Sequence, residues 1–415
     1  MKTALLIIGD EILAGNTRDL NGHWLSTYLP KLGLSLNQIK IVHDGKEEIQ
    51  ASLDILFKDH DIVFCSGGLG PTKDDITKNV MADYFNKELI SDAKSISHIE
   101  NLYKKIDKEW TTETNDYHFY PQDFELTDNI NGLAPGLFYH ENEKTILCAP
   151  GVPREFSSMV EEVFTPKLIS LYGTEVFKPT ELFSIRTKGM PEEKIFTTLC
   201  PTLWEDLSKM AKVSSLPHLL GVDIVLYMDK SKSEEIKKEV IELINSSPLK
   251  EYVWQFGNLE LEELVVKLAT EKNLTIGFAE SCTGGLTSSK ITNISGSSRV
   301  LLGSIISYAN SIKENMLNVS RVTLENHGAV SKECAHEMAN GARVAIGCDI
   351  SISYTGIAGP TGGSEEKPVG TVGIGWSTKE TSGSDIFNFR GDRVGLKERF
   401  SRMGLFLLLD LIKKY

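Results

Sequence analysis

The sequence predicts an α/β protein made of two sheet-containing domains and a smaller α+β module between them. Over residues 1–90, and again after residue 257, short apolar runs alternate with amphipathic helical patterns. Such alternation is typical of βαβ units, in which helices cover both faces of a largely parallel sheet. We therefore predict a doubly wound domain over residues 1–170, a connecting α+β module over 171–256 and an α/β domain over 257–415.

The elements of the first domain follow from apolar runs bounded by turn residues. Its predicted strands are 3–8, 35–42 and 61–65, followed by a hairpin of strands 136–139 and 144–147. Its predicted helices begin near Leu20 and Glu47, after Asp75 and at Pro153. The last of these is expected to end near Pro166, because proline interrupts helical hydrogen bonding.

The middle module is predicted from strands 182–187 and 221–228 and a charged amphipathic helix over 233–244. The last domain opens with a helix over 260–272. Its predicted strands are 274–278, 303–308, 350–355, 370–376 and 385–389, with helices beginning near Gly284, Ser311, Ser331 and Val394. No internal repeat interrupts this order.

Composition excludes several classes of protein. A formal net charge of −13, with no basic run, argues against nucleic-acid binding, which needs clustered Lys and Arg. The apolar run after Met1 is too short for a signal peptide and meets Asp10, and no apolar run approaches membrane-spanning length. The six cysteines are widely spaced without a C-x-x-C pair, so we expect reduced thiols in the cytoplasm.

A glycine-rich loop follows the third predicted strand. Gly67, Gly68 and Gly70 would let the backbone approach a phosphate closely, with Thr72 beside them. The adjacent Asp74 and Asp75 could bind a divalent cation that bridges phosphate oxygens. The alternative is a tight turn in which one of these aspartates caps the next helix.

Further polar residues fall where ligands of open α/β sheets bind, at strand ends and helix starts. Asp10 and Asp44 end the first two strands, and Asp19 and Asn21 open the following helix. Helix capping remains a serious alternative for Asp19 and for Asp44.

Ser281 is the candidate nucleophile of the last domain. It lies in a predicted strand-to-helix turn, where the backbone N–H groups of Thr283, Gly284 and Gly285 could hold an oxyanion or a phosphate. The alternative is that Ser281 only caps the helix. Cys282 is a rival nucleophile, but no histidine base is near it in sequence, so we interpret it as structural.

Three more segments of this domain end at the same predicted sheet edge. Lys313, one turn into a helix after Tyr308, could act as a base if burial leaves its amine neutral. Thr355 and Gly356 open a second glycine-rich loop suited to a phosphate or carboxamide. Arg393, at a helix start, could bind a phosphate bidentately. The alternatives are an exposed lysine, a flexible connection and a solvated helix end.

The motifs of the first domain resemble the molybdopterin-binding-like domain of the competence/damage-inducible protein family CinA. The matching segments are Gly9-Asp10-Glu11, Asp19-x-Asn21, Gly67-Gly68-Leu69-Gly70-Pro71-Thr72, Asp74-Asp75, Ala134-Pro135-Gly136 and Ala149-Pro150-Gly151. The resemblance implies an ADP-ribose pyrophosphatase in which Asp44, Asp74 and Asp75 hold magnesium, manganese or cobalt, with potassium as a further candidate. The family commonly has Gly-Asp-Asp where this chain has His43-Asp44-Gly45.

The last domain resembles the C-terminal CinA domain, whose members include nicotinamide mononucleotide (NMN) deamidases. The matching segments begin at Ala279, Tyr308, Gly328, Thr355 and Gly391. The resemblance implies that Ser281 is the nucleophile and Lys313 its base, without a cofactor. It also implies that Tyr308, Thr355 and Arg393 seat the nucleotide. This chain has Gly303-Ser304 where the family more often has two glycines.

Together these features predict a cytoplasmic, homodimeric hydrolase of pyridine nucleotides, acting on NMN and on ADP-ribose without binding nucleic acid or membrane. One alternative is a nucleotide- or pterin-binding sensor without turnover. Another is an interaction protein involved in DNA uptake or the damage response.

Overall fold

A computed structural model describes residues 1–415. The chain packs into two compact units, Met1–Leu182 with Tyr227–Lys238, and Phe183–Leu226 with Glu239–Tyr415. The α/β class predicted from the sequence is confirmed. None of the helices combines the length and the apolar character needed to cross a bilayer.

The first 172 residues, all in the first unit, contain eight strands and seven α-helices. The strands are β1 (Thr3–Ile8), β2 (Leu36–Val42), β3 (Ile62–Ser66), β4 (Leu89–Ile90), β5 (Tyr120–Pro121), β6 (Glu125–Thr127), β7 (Gly136–Glu141) and β8 (Lys144–Ala149). The helices are α1 (Asp10–Leu13), α2 (Asn21–Tyr28), α3 (Lys46–Asp59), α4 (Thr77–Tyr84), α5 (Ala93–Lys104), α6 (Pro153–Ser158) and α7 (Thr165–Tyr172).

The main sheet of this unit has the order β2-β1-β3-β8-β7-β6. The first four strands are parallel, and the β7–β8 hairpin adds an antiparallel edge. Alternate residues of β1 enter different cores, with Leu6 and Ile8 on one face and Leu5 and Ile7 on the other. The sheet is therefore covered on both faces, as expected for a doubly wound domain.

The helix that begins at Pro153 does not end near Pro166, as predicted. A wider π-type turn, Met159–Phe164, joins α6 to α7, and the helical path continues to Tyr172. Pro166 falls in the first turn of α7, where a missing N–H is tolerated.

The middle of the chain supplies a four-stranded sheet with the order β10-β11-β9-β12. Its elements are β9 (Thr180–Thr187), α8 (Glu192–Lys194), α9 (Leu203–Met210), β10 (Lys212–His218), β11 (Gly221–Asp229), α10 (Ser233–Asn245) and β12 (Val253–Phe256). Strands β10 and β12 were not predicted, since β10 is polar and β12 is short.

The last part of the chain builds a five-stranded sheet with the order β14-β13-β15-β16-β17. Its strands are β13 (Ile276–Glu280), β14 (Leu301–Ile306), β15 (Ile350–Gly356), β16 (Thr371–Ser377) and β17 (Ser382–Asn388). Its helices are α11 (Leu261–Glu271), α12 (Leu286–Thr292), α13 (Asn310–Leu317), α14 (Arg321–His327), α15 (Lys332–Ile346) and α16 (Arg393–Lys414).

Strand direction decides where the loops of this sheet meet. Strands β13, β14 and β15 are parallel, and Glu280 pairs with Ile306 on one side and Tyr354 on the other. The loops that follow these three strands therefore leave the same edge of the sheet. Strands β16 and β17 are antiparallel, and they extend the sheet sideways from β15, on the side opposite β13.

We expect Gly341→Ala to destabilise the second unit. A Cβ at this position of α15 would collide with the backbone carbonyl of Leu317, at the end of α13. Overpacking of this kind costs about 1–3 kcal/mol, more than the gain in helix propensity from alanine. Thermal unfolding of the full chain should show a lower midpoint than Gly303→Ala, whose Cβ would meet its nearest atom at 3.9 Å. Equal midpoints would contradict this close packing of α13 and α15.

Candidate functional sites

Ser281 and Lys313 are in direct contact at the carboxyl edge of the five-stranded sheet. The Lys313 Nζ lies 3.1 Å from Ser281 Oγ and 2.8 Å from the Ser307 carbonyl oxygen. Only 1% of Lys313 is exposed, so the interpretation of an exposed lysine is wrong. Ser281 is 8% exposed, and its backbone N–H donates to the Tyr354 carbonyl.

The surroundings of Lys313 disfavour its charged form. Its three hydrogen-bond partners are the Ser281 hydroxyl and the carbonyls of Ser307 and Tyr308, and no carboxylate pairs with it. Burial is the main cause that lowers the pKa of Lys313 below 10.5. A lysine with a lowered pKa beside a serine hydroxyl has the geometry required of a general base.

Glu280 occupies the start of helix α12. Its carboxylate is fully buried and accepts hydrogen bonds from the backbone N–H groups of Gly285, Thr287 and Ser288, at 2.9, 3.1 and 2.9 Å. The Ser288 hydroxyl adds a fourth, at 2.6 Å. The alternative in which Ser281 caps this helix is therefore wrong, because Glu280 provides the acceptor.

The same hydrogen bonds correct the expected role of the glycine amides. The N–H of Gly285 is committed to Glu280, and the N–H of Gly284 donates to the Ser281 carbonyl at 3.1 Å. Thr283 is fully buried, and its hydroxyl has no hydrogen-bond partner. None of these three residues lines the cavity at Ser281. No backbone carbonyl accepts from the N–H of Cys282 or Thr283, and of these two residues only Cys282 lines the cavity.

A cavity of about 210 Å³ opens in front of Ser281. Its walls are formed by Ser281, Cys282, Tyr308, Asn310, Lys313, Ala329, Val330, Thr355, Gly356, Ala358 and Arg393. Arg393 donates to the Gly359 carbonyl at 2.7 Å and lies 3.4 Å from the Tyr308 hydroxyl. Tyr308 is 64% exposed at the opening. The cavity thus brings together Ser281, Lys313 and four of the predicted substrate-binding residues.

Two residues of this wall, Thr355 and Cys282, have environments that indicate a structural role. The Thr355 hydroxyl donates to the Ala329 carbonyl at 2.6 Å, which fixes the loop after β15 against the segment before α15. Burial raises the pKa of the Cys282 thiol to about 12, so almost no thiolate forms near neutral pH. This supports a structural role for Cys282.

The glycine-rich loop of the first unit borders a cavity of about 530 Å³. Gly67 and Gly68 have φ values of 108° and 67°, and a Cβ would collide with the Ile8 carbonyl at Gly67 and with the Thr77 hydroxyl at Gly68. Both positions therefore need glycine. Of the predicted residues, Asp44, Gly67, Gly68, Gly70, Asp74 and Asp75 line this cavity.

The carboxylates of this cavity have different environments. Burial, together with the charges of Asp10, Glu11 and Asp74, raises the pKa of Asp44. Asp75 accepts hydrogen bonds from the Thr72 hydroxyl and, at 2.9 Å, from the Thr72 backbone N–H. Helix α4 has no side-chain cap, so neither Asp74 nor Asp75 serves that purpose. No group of three or more His, Cys, Asp or Glu side chains is arranged to hold a metal ion.

Four residues predicted for this site do not line the cavity. Asp10 pairs with His43 at 2.8 Å, and the Asp19 carboxylate accepts from the Gly22 backbone N–H at 3.0 Å, as in the capping alternative. The buried Asn21 side chain donates to the Ser66 hydroxyl and the Gly151 carbonyl, both at 2.8 Å. Thr72 is not part of the cavity wall, and its backbone N–H donates to Asp75, which is part of the wall. These side chains shape the loops because short polar groups satisfy neighbouring backbone atoms.

Lys78 was not predicted, although it lies next to this cavity's wall. It is 6% exposed, its Nζ donates to the Asp116 carbonyl at 2.5 Å, and it lies 6.0 Å from the ring of Tyr117, which lines the cavity. Burial lowers the pKa of Lys78 to about 8. Only its position directly after Thr77 could have pointed to Lys78 from the sequence. The segment that covers it, around Asp116 and Tyr117, carries no motif.

A larger cavity of about 640 Å³ lies between α5, β6 and α7 and contains no predicted site residue. Its charged walls are largely self-paired, with Lys167 bonded to Glu125 at 2.7 Å and His98 at 3.5 Å from Asp128. The volume of a cavity alone therefore does not identify the site whose side chains could carry out a reaction.

Comparison with known proteins identifies relatives over the whole chain. The family described as CinA C-terminal domain matches residues 258–412, and that described as Probable molybdopterin binding domain matches 4–170. A competence-damage inducible protein of Caldicellulosiruptor saccharolyticus is 35% identical over 421 residues, covering 100% of both chains. One of Clostridium perfringens is 36% identical over 404 residues, covering 96% of each. The crystal structure of a competence/damage inducible protein from Agrobacterium tumefaciens is 35% identical over 37% of this chain and 96% of its own, with a TM-score of 0.36.

We expect Glu280→Gln to destabilise the second unit by about 1–3 kcal/mol, because charge-assisted hydrogen bonds at the start of α12 are lost and an amide N–H₂ meets backbone donors. Urea unfolding monitored by a probe in this unit would measure the change. Ser288→Ala, which removes one of the four donors, is the matched control and should cost about 1 kcal/mol. An unchanged free energy of unfolding for Glu280→Gln would contradict this role.

Proposed function

The chain belongs to the CinA family of competence/damage-inducible proteins, and on that premise we propose that its last domain hydrolyses the carboxamide of NMN. The observation that carries the proposal is the contact between the buried Lys313 Nζ and Ser281 Oγ, at 3.1 Å. Serine is a weak nucleophile until a base takes its proton, and a desolvated lysine can be that base at neutral pH. The products are ammonia and nicotinate mononucleotide.

The proposed reaction has two halves. Lys313 accepts the hydroxyl proton as Ser281 Oγ forms a bond to the carboxamide carbon, and the N–H group of Cys282, which lines the cavity, stabilises the oxyanion. The Lys313 ammonium then returns the proton to the amide nitrogen, which leaves as ammonia and gives an acyl-serine. Water, deprotonated by Lys313, attacks this ester and releases nicotinate mononucleotide and the Ser281 hydroxyl. No step requires a metal.

The cavity walls supply the binding groups for this reaction. Arg393, anchored to the Gly359 carbonyl at 2.7 Å, presents its remaining guanidinium N–H groups to the nucleotide. Tyr308 offers an exposed aromatic ring at the opening, suited to stacking on a pyridine or covering it. Gly356 and Thr355 bring backbone close to the substrate, since the Thr355 hydroxyl is itself committed to Ala329.

For the first domain we propose hydrolysis of a pyrophosphate such as that of ADP-ribose at the glycine-loop cavity. Asp44 and Asp74 would hold a divalent ion there, because their mutual repulsion is relieved by a cation. The residues fit magnesium or manganese, which often take one or two carboxylates and complete their coordination with phosphate oxygens and water. When bound, such an ion polarises the phosphoryl oxygens. Asp75 holds the loop through Thr72, so its role is to position the glycines.

The deamidase proposal is tested by three substitutions measured for ammonia release from NMN. Ser281→Ala and Lys313→Met should each lower kcat by at least about 10³-fold, as loss of a nucleophile or its base does in hydrolases. Cys282→Ser should stay within about threefold of wild type. Near-normal activity of Ser281→Ala would refute the nucleophile.

The pH profile of the same assay tests the base. Because burial lowers the pKa of Lys313, the rate should rise with pH and level off below 10.5, and Lys313→Arg should be inactive throughout.

The two sites should differ in metal dependence. We expect chelation to abolish ADP-ribose cleavage and leave NMN deamidation unchanged. Asp44→Asn should lower ADP-ribose turnover at least about 100-fold, with partial recovery at high metal concentration. Asp19→Asn, which changes a helix-capping carboxylate outside the cavity, is the control and should retain most activity. Cleavage that survives complete chelation would rule out the metal-dependent site, and metal-independent nucleotide binding would favour a sensor.

A further inference from the structure

Lys397 lies beside the Ser281 loop and has no role in the reaction described above. It follows Arg393 by one turn of helix α16, so the two side chains lie on the same face of the helix. A Cβ built at Gly284 would lie 3.9 Å from Lys397 Nζ, and no other atom of a neighbouring residue would come within 4 Å. The Lys397 ammonium therefore reaches the Ser281 loop, at van der Waals distance from where a side chain at Gly284 would begin.

The charge of Lys397 is uncompensated. Its Nζ makes no hydrogen bond or ion pair, whereas Lys413 on the same helix donates to the Trp254 carbonyl and Lys290 nearby pairs with Glu398 at 2.9 Å. No carboxylate lines the cavity that Arg393 borders. In a chain with a formal net charge of −13, two cations one turn apart without an acidic partner form a local positive surplus.

The size of the cavity indicates where a charged end of the substrate would lie. Its volume of about 210 Å³ is below the range of roughly 300–1,000 Å³ typical of pockets that enclose a whole ligand. With the carboxamide at Ser281, the far end of a mononucleotide must extend beyond the wall. Arg393 belongs to that wall and Lys397 does not, so Lys397 lies outside the enclosed part, on the side of Gly284.

We propose that Lys397 and Arg393 together bind the 5′-phosphate of the mononucleotide, which makes Lys397 a specificity-determining residue for phosphorylated substrates. This inference rests on the proposed deamidase function. Arg393 provides oriented N–H donors, since its other edge is fixed by the Gly359 carbonyl, and Lys397 provides a mobile point charge. Gly284 matters because a side chain there would contact the Lys397 ammonium, and because its φ of 63° favours glycine.

The test compares NMN with nicotinamide riboside, which lacks the phosphate. Lys397→Met should lower kcat/KM for NMN about 10- to 100-fold, mainly through KM, and leave the riboside unchanged. Lys397→Arg should restore most of the preference for NMN. Lys267→Met is the matched control, because Lys267 lies on α11 at 4.0 Å from Glu271 and lines no part of this cavity. Equal losses for both substrates, or no loss for NMN, would overturn the proposal.

Binding measurements separate this inference from the reaction itself. Calorimetry on Ser281→Ala, with and without Lys397→Met, reports NMN affinity without turnover. Weaker binding of NMN but not of nicotinamide riboside supports the phosphate site, even if the wild-type protein released no ammonia and the deamidase proposal failed. Equal NMN affinity of the two variants would reject Lys397 as a phosphate ligand, whatever the activity of the wild type.

Discussion

The second unit depends on one constraint, an amine that is buried without a counter-ion. Moving an ammonium group out of water costs several kcal/mol unless a charge compensates it, and Lys313 has only carbonyls and one hydroxyl around it. The carbonyls of Ser307 and Tyr308 orient Nζ toward Ser281 but do not neutralise a charge. Burial therefore lowers the pKa of Lys313, and the helix that carries it, α13, packs closely on α15, where Leu317 contacts Gly341.

Glu280, one residue before Ser281, is also buried, but its environment differs from that of Lys313. Its carboxylate is as deeply buried as Lys313, but four donors from the start of α12 surround it. These hydrogen bonds hold the side chain in place at the start of the helix. Because Glu280 uses those amides, the start of α12 anchors the turn that carries Ser281.

The sequence was sufficient for the positions of most strands and for the sheet edge at which Ser281 and Lys313 meet, because both follow from hydrophobic period and from the direction of parallel strands. It was not sufficient for β10, whose polar pattern resembles a loop, or for the antiparallel addition of β16 and β17, since periodicity carries no pairing direction. Two hydrogen bonds depend on side-chain rotamers, which a sequence pattern does not specify. They run from the Gly285 N–H to the Glu280 carboxylate and from the Gly22 N–H to the Asp19 carboxylate. The burial of Lys78 depends on the segment around Asp116 and Tyr117, in which the sequence shows no motif.

The charge at each cavity fits the chemistry proposed for it. At the glycine loop, burial raises the pKa of Asp44, and the charges of Asp10, Glu11 and Asp74 raise it further. A pyrophosphate would meet repulsion there unless a cation entered with it, so substrate and metal must bind as a pair. At the Ser281 cavity no carboxylate lines the wall, Arg393 is part of it, and Lys397 lies one helical turn further along α16. A single phosphate can bind there unaided, and a bound metal would add repulsion to these cations. The two proposals thus rest on opposite local charge, carboxylates at the glycine-loop cavity and Arg393 at the Ser281 cavity.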